Sequence, residues 1–84
     1  MNKLNLKLKT LVQTCSAFPS QWEGQFLDGR YIYIRFRWGN LGFGIGNTPD
    51  EAVNNYQYGD DVGRDEFDGE ISQAEMLALL GLEI

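Results

Sequence analysis

The sequence predicts an α+β domain in which a four-stranded antiparallel sheet carries two short helices on one face. Residues 21–46 read as three β-rich runs separated by Asp28-Gly29 and Gly39-Asn40, which are strong hairpin signals. An alternating leucine run precedes this meander, and two helix-start signals follow it. The length of 84 residues fits one domain, because the chain is too short for two hydrophobic cores.

The first strand is predicted near the N-terminus, where Leu4, Leu6 and Leu8 alternate with lysine or asparagine. A period of two is typical of a half-buried strand, and lysines on its open side suit a sheet edge because charge discourages pairing with another molecule. Pro19 interrupts the loop that follows. The three strands of the meander then cover residues 21–27, 30–38 and 41–46.

The meander places two kinds of side chain on opposite faces of its middle strand. The predicted apolar face consists of Ile32, Ile34, Phe36 and Trp38. The other face, called the Arg/Tyr face below, consists of Tyr31, Tyr33, Arg35 and Arg37. A two-residue turn at Gly39-Asn40 would pair Trp38 with Leu41 and set three glycines opposite Tyr33, Arg35 and Arg37, namely Gly46, Gly44 and Gly42. The glycines would form a shallow trough suited to a planar or anionic ligand. Alternatively, they permit twisting of the sheet or close packing of another chain.

The first hairpin allows two registers. A loop of two residues would place Trp22 and Phe26 on the Arg/Tyr face, with Trp22 beside Arg35, and would turn Glu23 towards the core. A loop of three residues, with Gly29 in the left-handed conformation, would bury both rings. Burial of two aromatic side chains stabilises by roughly 3–6 kcal/mol, whereas burial of an unpaired carboxylate is costly. The three-residue loop is therefore favoured, and the alternative would make Trp22 part of a binding surface.

The first helix is predicted from a capping box between Thr48 and Glu51 with a proline at the first helical position. It should begin at Pro49 and continue to about Tyr58, with Gly59 placed to end it. Its predicted buried stripe consists of Ala52, Val53 and Tyr56.

The second helix is predicted from another capping box, between Ser72 and Glu75, with Gly81 placed to end it. Its apolar side chains are Met76, Leu77, Leu79 and Leu80. The preceding stretch from Asp68 resembles the second half of a calcium-binding EF-hand loop, but Arg64 would occupy the first ligand position and cannot bind a cation. The capping box explains Ser72 and Glu75 equally well, so we predict no metal site.

The charge is divided along the chain. Residues 1–46 have a net charge of +4 and residues 47–84 a net charge of −9, which gives −5 overall. The two halves either complement each other or present surfaces of opposite sign to different partners. Six carboxylates form an acidic loop that we predict to engage a basic partner: Asp60, Asp61, Asp65, Glu66, Asp68 and Glu70. A small basic cluster on an acidic protein is poorly suited to duplex nucleic acid.

The composition argues against several functional classes. The chain has no histidine, which removes the commonest general base and metal ligand, and Cys15 therefore has no histidine partner. Without a phosphate-binding glycine loop or metal-ligand spacing, we expect neither an enzyme nor a cofactor. A single cysteine, no secretion signal and no apolar run near the ~20 residues of a membrane span predict a cytoplasmic protein that does not enter a membrane.

A resemblance covers about residues 19–46, where the segments read PSQWEG, DGR and YIRFRWG. These segments resemble a group of small orphan proteins from bacteria and their phages. The resemblance implies a cytosolic accessory protein carried by a phage or mobile element. By association it implies an inhibitor of host defence, and it supplies no activity, cofactor or catalytic residue.

Three functional hypotheses follow. The first is a non-enzymatic binding module that uses the acidic loop and the Arg/Tyr face to occupy a basic, nucleic-acid-binding surface of a host or defence protein. The second is capture of a nucleotide signal or another small phosphorylated ligand by Tyr33, Arg35, Arg37 and Trp22. The third is a structural subunit of a larger assembly or a homo-oligomer, with the sheet face buried by a neighbour.

Overall fold

Six strands and two helices make up the part of the chain that the computed structural model describes, which is residues 4–16, 19–61 (backbone alone at 60 and 61) and 71–84. In chain order they are β1 (Leu6–Cys15), β2 (Ser20–Phe26), β3 (Tyr31–Arg37), β4 (Asn40–Gly46), α1 (Pro49–Asn54), β5 (Gln57–Asp61), α2 (Gln73–Leu80) and β6 (Leu82–Glu83). The predicted α+β class is confirmed.

The sheet has the strand order β5-β4-β3-β2-β1-β6, and only the β1–β6 pair is parallel. The prediction of four antiparallel strands is therefore wrong in number and in orientation at one edge. Gly81, in the left-handed conformation with φ 69°, reverses the chain after α2 so that Leu82 lies beside Leu6. The predicted N-terminal edge strand is covered by β6 only at Leu6 and Lys7.

The first hairpin has the favoured three-residue loop. The backbone N–H of Phe26 donates to the carbonyl of Arg30 at 2.8 Å, and Gly29 has φ 96°. Trp22 pairs with Ile34 and is completely buried, and Phe26 is 2% exposed. The prediction of Trp22 as a ligand-binding residue is therefore wrong, because its ring contributes to the core on the opposite side of the sheet from the Arg/Tyr face.

The second hairpin differs from the predicted register. Arg37 pairs with Asn40, so the turn consists of Trp38 and Gly39, both with positive φ, as a type I′ turn requires. Trp38 is 54% exposed and is wrongly predicted as a core residue. Asn40 is unavailable for the turn because its side-chain amide donates to the carbonyl of Gly59 at 2.7 Å and accepts from the Gly59 N–H at 3.1 Å.

The two-residue shift leaves the predicted faces of β3 and β4 unchanged, because side chains alternate with a period of two. One face forms the hydrophobic core with α2, and its buried members are Leu8, Trp22, Phe26, Ile32, Ile34, Phe36, Leu41, Ile71, Met76, Leu80 and Leu82. The predicted limits of α2 are confirmed, since Ser72 accepts from the Glu75 N–H at 3.1 Å and Gly81 caps the other end.

The helix α1 packs on the opposite face of the sheet, so the prediction of both helices on one face is wrong. A side chain at Gly44 would overlap backbone atoms of Ala52, which is buried but lies outside the core cluster. The helix begins at Pro49 as predicted, but it ends at Asn54 rather than near Tyr58. The chain then adds β5 to the sheet beside β4, guided by the hydrogen bonds between Asn40 and Gly59.

Candidate functional site

The Arg/Tyr face lies on the side of β3 away from the hydrophobic core. Tyr31, Tyr33 and Arg35 are half-buried there, and Arg37 is exposed at the end of the strand. Their neighbours in β2 are Gln21, Glu23 and Gln25, which pair with Arg35, Tyr33 and Tyr31 in that order. The structure thus brings the four side chains predicted from β3 together on one face, with a carboxylate added beside them.

The glycine trough on this face is filled by the protein's own chain. Gly42 pairs with Arg35 and Gly44 pairs with Tyr33. A Cβ atom at Gly42 would lie 2.8 Å from the hydroxyl of Tyr56, and one at Gly44 would overlap the backbone of α1. The glycines therefore permit close packing of α1 and the residues after it, and they are not an open floor for a ligand.

Three tyrosine rings follow one another from the sheet towards the edge strand β5. The ring centroids of Tyr33 and Tyr56 are 5.8 Å apart at an interplanar angle of 73°, and those of Tyr56 and Tyr58 are 6.0 Å apart at 65°. Such edge-to-face pairs each stabilise by about 0.5–1.5 kcal/mol. Tyr58 is 78% exposed, so the series ends in a ring that is available to a partner.

Arg35 is the half-buried cation of this face. Its Nε atom is buried and has no hydrogen-bond partner among the residues that the structure describes. Burial raises the pKa of both Tyr33 and Tyr56, and the Arg35 guanidinium opposes that rise in each. The positive charge of Arg35 therefore acts electrostatically on both phenols. Both remain protonated at neutral pH and can donate hydrogen bonds.

The β3–β4 turn carries a second aromatic and cationic pair. The guanidinium carbon of Arg37 lies 5.2 Å from the centroid of the Trp38 ring, which is cation–π geometry. Both side chains are exposed. The sequence prediction included Arg37 but placed Trp38 in the core, so it missed this pair.

A groove of about 260 Å³ opens beside the Arg/Tyr face, between β1, β2, β3 and the start of α1. Its lining residues include Thr10, Val12, Glu23, Tyr31, Tyr33 and Pro49. Glu23 is the one charged side chain among the described lining residues. The favoured register of the first hairpin already places Glu23 beside Tyr33, but sequence reasoning missed the groove because a register shift between Leu8 and Thr10 moves Val12 to the face opposite Leu8.

Of the acidic loop, the backbone of its first two residues belongs to the described part of the chain. Asp65, Glu66, Asp68 and Glu70 lie outside the described residues, as does most of the segment that resembles an EF-hand loop. The backbone of Asp60 and Asp61 belongs to β5, where these residues pair with Leu41 and Asn40. No group of three or more cysteine, aspartate or glutamate side chains within the described ranges is arranged to hold a metal ion.

Comparison with known proteins finds no matching protein-family model, curated protein or solved structure. Neither of the described helices has the length and apolar character that would let it cross a membrane. The chemistry of the Arg/Tyr face and of the adjacent groove is therefore the guide to function.

Proposed function

We propose that the protein is a small non-catalytic binding module that acts by occupying a surface of a partner protein through its Arg/Tyr face. The observation that carries the proposal is the arrangement of tyrosine rings around a half-buried guanidinium, that of Arg35. Tyrosine, tryptophan and arginine are enriched at the energetic centres of protein interfaces. The exposed rings of Tyr58 and Trp38 extend this surface at its margin.

The partner surface is basic and holds nucleic acid when the module is absent. Support comes from the net charge of −9 on residues 47–84, which exceeds what the +4 of residues 1–46 can neutralise. Carboxylates of the acidic loop attract the partner, and the aromatic and arginine side chains supply contact area. The resulting activity is inhibition of a host or defence protein by competition with its nucleic acid. Such binding weakens steeply as salt screens the charges.

The test is affinity capture from a lysate of the native host, using the wild-type chain and Arg35→Gln, followed by competition of the captured protein against its nucleic acid. Leu27→Ala is the matched control, because Leu27 is 64% exposed at the tip of the first hairpin. We expect Arg35→Gln to lose the partner and Leu27→Ala to retain it. Retention of the partner by Arg35→Gln, or binding that is unchanged at high salt, would contradict the proposal.

A second candidate function is binding of a small phosphorylated ligand at Arg35. The half-buried guanidinium of Arg35 beside Tyr33 and Tyr56 favours it, since a phosphate can accept hydrogen bonds from a guanidinium and from tyrosine hydroxyls. A nucleotide that binds the folded state raises the melting temperature with its concentration. Thermal shift against a nucleotide panel tests this function, and Arg35→Gln should abolish any shift. A flat response to every nucleotide would leave only the protein partner.

A further inference from the structure

The groove beside the Arg/Tyr face has a size and composition that restrict its guest. Its volume of about 260 Å³ lies below the roughly 300–1,000 Å³ of typical small-molecule sites. Its walls combine the apolar surfaces of Val12 and Pro49 with the phenol rings of Tyr31 and Tyr33. A guest must therefore be slender and partly apolar, as the side chain of a protein is.

The charge of the groove selects a cation. Glu23 lines the groove, pairs directly with Tyr33 across the sheet and is exposed, so its carboxylate is accessible to a guest. Burial is the largest cause of the raised pKa of Tyr33, and the Glu23 carboxylate also contributes to the rise. Arg35 acts on Tyr33 in the opposite direction, but it lies outside the groove lining. A guest in the groove therefore meets a negative charge at its wall.

We propose that this groove receives an arginine side chain from the partner protein, with its guanidinium paired to Glu23 and its plane against the rings of Tyr31 and Tyr33. Arginine fits better than lysine because its planar fork matches a carboxylate and stacks on aromatic faces, and because it is more weakly hydrated. The hydroxyl of Thr10 at the wall can accept a further N–H. This inference rests on the proposed function, since a basic partner surface supplies the arginine.

The first experiment uses three capped tripeptides as probes, Gly-Arg-Gly, Gly-citrulline-Gly and Gly-Lys-Gly. Citrulline keeps the shape of arginine and removes its charge. Each is titrated into the ¹⁵N-labelled full chain, and backbone amide shifts are recorded. We expect saturable shifts at Val12, Glu23 and Tyr33 with the arginine peptide, and weaker binding of the lysine peptide. Equal binding of the citrulline peptide, or arginine shifts confined to other residues, would overturn the inference.

The second experiment compares Glu23→Gln with Glu83→Gln. Both remove one exposed carboxylate, but Glu83 lies on β6, away from the groove. An exposed ion pair accounts for up to about fivefold in affinity, so we expect about a fivefold loss for Glu23→Gln and no change for Glu83→Gln. Equal losses in both variants would show an effect of net charge alone and would contradict the inference.

Capture of the partner by Arg35→Gln and by Glu23→Gln separates this inference from the proposed function. Partner capture that is lost with Arg35→Gln but unchanged with Glu23→Gln would remove the arginine site and leave the binding module intact. Capture that is unchanged by both substitutions would remove the proposed function itself. Loss of capture with both substitutions, together with binding of the arginine peptide, supports both.

Discussion

Substitution of Gly44 by alanine tests how the sheet accommodates α1. The new methyl group would overlap the carbonyl oxygen of Ala52 and lie 2.7 Å from the carbonyl carbon of Asn55. These are backbone atoms and cannot rotate away, so the helix must lift from the sheet. Lifting it exposes the methyl group of Ala52 and breaks the 2.8 Å hydrogen bond from the Asn55 side chain to the carbonyl of Ile45.

The expected loss in the free energy of unfolding is about 2–3 kcal/mol. It includes about 0.8 kcal/mol for the Ala52 methyl group, at least about 0.5 kcal/mol for the hydrogen bond and about 1 kcal/mol for the contact between Tyr33 and Tyr56. Urea denaturation measures the loss. With a slope near 1 kcal/mol per M for a chain of this size, the midpoint should fall by about 2–3 M.

Gly29→Ala is the matched control for this measurement. Nothing lies within 4 Å of a Cβ atom at Gly29, but its φ of 96° strains any larger residue, so we expect a loss of about 1 kcal/mol. Should Gly44→Ala cost no more than Gly29→Ala, the close packing of α1 against β4 would be refuted.

Three further predictions concern the core, the second helix and the tyrosines. Trp22→Ala should destabilise by about 3–5 kcal/mol and Trp38→Ala by no more than about 1 kcal/mol in urea denaturation, because only Trp22 is fully buried; equal losses would contradict the assigned hairpin registers. Ser72→Ala should cost about 1 kcal/mol and Ser72→Asp much less, because aspartate also accepts from a helix N-terminal N–H, and helix content by circular dichroism together with denaturation measures both. Burial raises the pKa of Tyr33 and Tyr56 above the usual value of a tyrosine, so the unfolded chain loses these protons first and stability should fall as pH rises above about 10. Absorbance at 295 nm follows the titration, and a double Tyr33→Phe, Tyr56→Phe variant that keeps the full alkaline loss would contradict the assignment.

Much of the fold could be predicted because its signals are local. Thr48 and Ser72 identify both helix starts, since a cap needs only a side-chain oxygen and an N–H three residues later. The register of the first hairpin can be predicted because burial of Trp22 stabilises the fold, whereas burial of the unpaired Glu23 carboxylate would destabilise it. The prediction of the second turn is wrong because the side chain of Asn40 bonds to Gly59. Gly59 lies 19 positions further along the chain, and no local sequence signal indicates that contact.

The sequence predicts the Arg/Tyr face of the candidate site but does not predict the groove beside it. A register error of two residues keeps every side chain on its face, so the Arg/Tyr face was correct although its partners in β4 were not. The groove escaped prediction because it requires α1 to fold back over the sheet on the side away from the core. Only that return places Pro49 and Ala52 opposite Val12 and Glu23.

The glycines of β4 therefore affect the binding face indirectly. They bring α1 close to the sheet, and α1 supplies one wall of the groove through Pro49 and Ala52. A lifted helix in Gly44→Ala must widen the groove and weaken contact with a slender guest, even under conditions where the variant is folded. The affinity for the arginine tripeptide should then fall in Gly44→Ala and remain unchanged in Gly29→Ala, since Gly29 lies outside the groove lining. Unchanged affinity in folded Gly44→Ala would mean that the guest is held by the sheet alone.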